Sequence, residues 1–125
     1  MAVVLCISAD ESLAMTRRMI LQKAGHRVLT VFTVPEAEQA CSAQPIDVAV
    51  IGQGVPHRER VRIRDLIRNL CPSAKLLELY VPSLGKTIPD ADDWLEVPGV
   101  APAELGERVS TLAGEASNRR KNTAH

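Results

Sequence analysis

The sequence predicts an α/β domain built on one doubly wound, parallel sheet. Short runs rich in apolar and β-branched residues recur five times, over residues 3–7, 28–32, 47–51, 75–80 and 94–97. Most are continuous rather than alternating, the pattern of strands covered on both faces. The segments between them carry helical spacing or helix breakers, so parallel neighbours joined by right-handed crossovers follow. At 125 residues the chain is one domain long, and the flavodoxin-like strand order 2-1-3-4-5 suits that size.

The first strand, residues 3–7, runs into Asp10 and Glu11, which open a helix over about 11–24. That helix sets Leu13, Ile20, Leu21 and Ala24 on one side and Arg17 and Arg18 on the other, and Gly25 stops it. After the second strand, Thr33 and Glu36 have capping-box spacing with Pro35 in the first turn, and Pro45 closes a short stripe of Ala37, Ala40 and Cys41. The third strand, 47–51, leads into the loop Gly52-Gln53-Gly54-Val55-Pro56. In the next helix Ile63, Leu66, Ile67 and Leu70 fall at i, i+3, i+4 and i+7, and Pro72 ends it. Between the fourth and fifth strands, Pro82, Gly85 and Pro89 argue against a long helix, so the fourth helix of the fold is expected to be shortened or missing. Pro102 opens a last helix with Leu105, Val109 and Leu112 inward. The expected domain is 1–114, followed by a polar, disordered tail over 115–125 that includes Arg119, Arg120 and Lys121.

Composition narrows the function. Fifteen basic and fifteen acidic residues give no net charge, which argues against a nucleic-acid binder that works by bulk charge. Phe32, Tyr80 and Trp94 are the only aromatics, too few for a base-stacking platform. Cys6, Cys41 and Cys71 are odd in number and never in a C-x-x-C pair, which points to small buried side chains rather than a metal site or disulfide framework. No stretch has membrane-spanning length and the start reads as a strand, so a reducing cytoplasm is the expected location.

From about Val3 to Leu112 the chain resembles a response-regulator receiver domain of two-component signalling. The resemblance rests on Asp10 and Glu11 after strand one, Asp47-Val48-Ala49-Val50-Ile51 with Pro56 beyond it, Ala91-Asp92-Asp93-Trp94-Leu95, and Pro98 with Pro102-Ala103-Glu104-Leu105. It implies a phosphoacceptor aspartate after strand three, where this chain has Gly52, which carries no nucleophile. Of the two metal-holding acids it implies after strand one, Ala9 and Asp10 leave only one, too few for Mg²⁺. Its Ser/Thr position falls on Tyr80 and its lysine position on Val97. The resemblance therefore implies a degenerate pseudo-receiver: no enzyme, no cofactor, no metal, and a residual acidic pocket of Asp10 and Glu11.

The expected role is a phosphorylation-independent signalling module acting on a protein partner or as a homodimer, with no membrane or nucleic-acid role. Strand alternation sets Glu78 and Tyr80 on one face. Trp94, Glu96 and Pro98 share a face of strand five. Two placements follow: a face left open by the missing helix, or an edge strand with Glu78 pointing to solvent beside it. The expected contact residues are Tyr80, Trp94 and Glu96, with Arg60 and Arg64 as a second patch. The alternative is a small-ligand or phosphate/nucleotide sensor in the crevice at the carboxyl ends of the strands, lined by Asp10, Gln53, His57 and Lys86. Gly85-Lys86-Thr87 lacks the upstream glycine of a phosphate-binding loop, since Tyr80 stands there, and reads as a solvent loop.

Overall fold

A computed structural model describes residues 2–97 and 102–123, with side chains of the last helix from 103 to 116. Pro98, His125 and the side chains of Arg119, Arg120 and Lys121 fall outside the described residues. The elements run β1 (Val3–Ile7), α1 (Glu11–Lys23), β2 (Arg27–Val31), α2 (Val34–Ala43), β3 (Val48–Ile51), α3 (His57–Leu70), β4 (Lys75–Tyr80), β5 (Asp93–Glu96) and α4 (Pro102–Thr123). The five strands form one sheet in the order β2-β1-β3-β4-β5, and every neighbouring pair is parallel.

The period of two in each strand divides the core. Leu5, Ile7, Ala49, Ile51 and Leu76 face α2 and α3, where Ala37, Cys41, Ile63 and Ile67 meet them. Val4, Cys6, Val48, Val50, Leu77 and Leu79 face α1 and α4, against Leu21, Leu105, Val109 and Leu112. The capping box forms as spaced: Thr33 Oγ1 accepts from Glu36 N at 3.2 Å, and Glu36 Oε1 accepts from Phe32 N at 3.3 Å. The last helix continues past Glu115 to Thr123, because Ala116 extends the stripe of Leu105, Val109 and Leu112 and is buried with them.

No helix stands between β4 and β5. Residues 81–92 cross as an extended loop whose Ile88 and Ala91 fill the α3-side core. A tight turn begins the loop, with Leu84 N and Gly85 N both donating to Val81 O at 3.0 and 2.9 Å, and Gly85 takes φ +74°, a value only glycine adopts cheaply. Asp92 closes it by pairing with Leu76: Leu76 N donates to Asp92 Oδ2 at 2.7 Å and Asp92 N to Leu76 O at 2.9 Å.

Two expectations change at this level. The buried face of α1 is Ala14, Arg17 and Leu21, while Leu13 is exposed and Arg17 is inside. The face beside β4 is neither open nor an edge at Glu78, because the 81–92 loop closes over it and leaves Glu78 0% exposed.

Candidate functional site

The carboxyl ends of β1 and β3 lie side by side, and Gly52 is the first residue beyond β3, with its N–H donating to Ile7 O at 2.9 Å. A Cβ at Gly52 would stand 2.9 Å from Arg17 Nη1 and 3.0 Å from Ile7 O. The space for a side chain is therefore already taken, by a guanidinium that rises from α1 and is only 8% exposed. Arg17 Nη2 donates to Gln53 Oε1. Among the described residues no carboxylate lies within ion-pair distance of Arg17. Burial lowers its pKa from the usual arginine value, and electrostatic interaction with Cys6 and Asp10 opposes that. Burial also pushes the neighbouring Cys6 thiol up to about 12.

The acids expected as a residual pocket do other work. Asp10 is the N-cap of α1, its Oδ1 accepting from Leu13 N at 3.0 Å, and Glu11 sits in the same first turn, where negative charge opposes the helix dipole favourably. Ser8, itself buried, holds the turn by donating to Asp10 O at 2.9 Å and accepting from Asp10 N at 3.2 Å. Among the described residues no three His, Cys, Asp or Glu side chains gather to hold a metal ion.

A second buried arginine fixes the other side of the site. Arg60, 5% exposed, points inward from the first turns of α3 and donates to Val55 O (2.7 Å), Gly52 O (3.1 Å), Gln53 O (2.6 Å) and Glu78 Oε2 (2.7 Å). Glu78 is completed by the backbone of the crossing loop, with Thr87 N at 2.9 Å and Ile88 N at 3.0 Å. A glutamate in a covered strand is costly unless its oxygens are fully used, and here they take one guanidinium and two amides. The pair bolts two irregular segments, the β3–α3 loop and the 81–92 loop, to β4.

The structure thus removes Arg60 from the expected surface patch. Arg64, one turn on, stays at the surface and binds Asp90 at 3.0 Å and Asp65 at 2.6 Å. The hydrogen bond from Arg64 holds the Asp90 carboxyl below its ordinary value. Tyr80 and Trp94, half-buried, lie under the Lys86 ammonium at 5.5 and 4.8 Å from their ring centres. Trp94 also packs on the core and donates Nε1 to Ile88 O at 3.1 Å. Glu96 is exposed beside Tyr80 in register, and Leu84, at 79% exposure, projects from the tight turn nearby in the chain. Val97 follows β5 and donates its N–H to Tyr80 O at 2.8 Å.

The four residues expected to line a ligand crevice are otherwise occupied or apart. Gln53 is bonded to Arg17, Asp10 caps α1, and Lys86 covers the rings. His57 is exposed at the start of α3. No helix of the described residues is long and apolar enough to cross a membrane.

Comparison with known proteins gives the fold a context. No family model matches the sequence, and no curated protein matches it. Solved structures do. The crystal structure of an adenylate cyclase from Rhodopirellula baltica is similar with a TM-score of 0.88 at 17% identity, covering 98% of this chain and 95% of that one. The signal receiver domain of a putative Luxo repressor protein from Vibrio parahaemolyticus follows at 0.82 and 18% identity, over 99% and 98% of the two chains. A CheY-like response regulator receiver domain protein from Methanospirillum hungatei JF-1 matches at 0.79 and 18% identity, over 95% and 98%. At these identities the likeness speaks to architecture: the chain has the fold of a response-regulator receiver domain, with a loop joining its last two strands.

Proposed function

We propose that this domain is a non-catalytic signalling module of receiver architecture that works without phosphorylation, through contact with a protein partner or a second copy of itself. The observation that carries the reading is the Arg17 guanidinium standing where a side chain at position 52 would be. A glycine supplies no nucleophile, and the buried cation beside it crowds the place a side chain would take. It also repels a divalent metal, which a phosphoryl transfer at this place needs to spread charge. The two buried arginines tie the surrounding loops together through their own hydrogen bonds, which suits a module that does not need a phosphoryl group to order them.

The proposed contact surface is the 80–96 region: Leu84 as a projecting apolar anchor, Tyr80 and Trp94 capped by Lys86, and Glu96 at the rim. An exposed apolar side chain on a hydrogen-bonded turn beside aromatics anchored in strands is a favourable anchor, because little conformational entropy is lost when it docks. Arg64 on α3, tied to Asp90, is a second patch. The proposed location is the cytoplasm.

The experiment is incubation with acetyl phosphate and Mg²⁺ followed by intact-mass measurement. The reading predicts no phosphoryl adduct on the wild-type chain. An acid-labile adduct mapping to the β1 or β3 ends overturns it.

A further inference from the structure

Far from this site, at the end of the sheet where β3 and β4 begin, two of the three cysteines meet. Cys41 lies in the last turns of α2 and Cys71 is the first residue after α3. Cys71 Sγ lies 3.6 Å from the backbone oxygen of Cys41 and donates to it, and both side chains are buried in the same part of the core. They are separated by 30 positions in the chain. A cavity of about 350 Å³ opens beside them, lined by both cysteines and by Gln44, Pro45, Leu70 and Pro72. Cys6 is on the other face of the sheet, within the α1–α4 half of the core.

We propose that Cys41 and Cys71 form an oxidisable dithiol, which a small hydroperoxide converts into an intrachain disulfide stapling the end of α2 to the end of α3. One thiol sulfur attacks the peroxide, the O–O bond breaks, and a sulfenic acid forms with release of water or alcohol. The second sulfur then displaces the sulfenic oxygen, which leaves as water. Two thiols lose two electrons and two protons, and the peroxide takes both. The cavity gives the oxidant a route to the pair. In the closed domain burial keeps the Cys41 thiol protonated, its pKa pushed up to about 12. The reaction therefore proceeds during local openings at the helix ends and takes longer than at an exposed thiolate. The product is protected by the same burial, so it behaves as a persistent record of oxidant exposure rather than a fast relay.

The test treats the whole, folded chain with hydrogen peroxide, then denatures and alkylates it. The reduced protein takes three labels, one per cysteine. The oxidised protein is expected to lose the mass of two hydrogens, to take a single label that maps to Cys6, to melt at a higher temperature, and to regain all labels after phosphine reduction. Cys41→Ser and Cys71→Ser should each abolish the two-hydrogen loss, while Cys6→Ser keeps it. Persistence of all three labels after peroxide treatment that closes a disulfide in the urea-unfolded chain overturns the proposal. So does a bond that includes Cys6, or one that links two chains.

Discussion

Replacing Glu78 by Gln tests the central bolt of the structure. The substitution keeps the volume and removes the charge, leaving Arg60 buried with only carbonyl partners. It also sets an amide NH₂ where Thr87 N and Ile88 N now donate, so donor faces donor on one side. Removing one member of a buried ion pair costs about 3–5 kcal/mol, because the uncompensated charge remains. With a urea slope of about 1.5 kcal/mol/M for a domain of this size, the midpoint should fall by roughly 2–3 M. Urea melts followed by circular dichroism give that number directly. In a double-mutant cycle with Arg60→Met the two losses should be less than additive, because each substitution breaks the same ion pair. Amide exchange at Thr87 and Ile88 should quicken in Glu78→Gln before global unfolding. A midpoint shift of a few tenths molar, or strictly additive losses in the cycle, would refute the assignment of Arg60–Glu78 as the loop's anchor.

Other predictions are shorter. Gly52→Ala meets Arg17 Nη1 and the rigid Ile7 carbonyl at once, and should cost about 1–3 kcal/mol; in Arg17→Ala the same change should cost less, which a double-mutant cycle of thermal melts will show. Burial lowers His26 below its ordinary 6.5, so neutral His26 stabilises the fold above that value and the contribution is lost as pH falls through the depressed one. Melts from pH 8 to 5 should show the decline in the wild type and a flatter profile in His26→Gln. Leu84→Glu and Glu96→Lys should change stability by less than about 0.5 kcal/mol, since both sites are exposed, yet weaken association with a partner or a second copy measured by sedimentation.

The sheet and its order were legible because buried parallel strands write themselves as unbroken apolar runs, and because Pro82, Gly85 and Pro89 deny a helix before β5. The site was harder. Arg17 reads as polar surface beside Arg18, but it shares a helical face with Ala14 and Leu21 at i−3 and i+4. Arg60 likewise precedes Ile63 and Ile67 at i+3 and i+7. An arginine inside an apolar stripe is the signal that both point inward, and the sequence carries it. What it was paired with was not: Glu78 joins Arg60 across 18 positions, and the amides that complete it come from a loop with no regular pattern. The Cys41–Cys71 contact was hidden for the same reason, since it depends on how two helix ends pack.

The most direct measurement of the central claim is the amide spectrum of the ¹⁵N-labelled chain, recorded with and without Mg²⁺ and beryllofluoride, which mimics a bound phosphoryl group. The account predicts unmoved resonances at Asp10, Gly52 and Gln53, because Arg17 already fills the place and no acceptor carboxylate stands there. Saturable shifts at those amides would contradict it and show a site still open to phosphate chemistry.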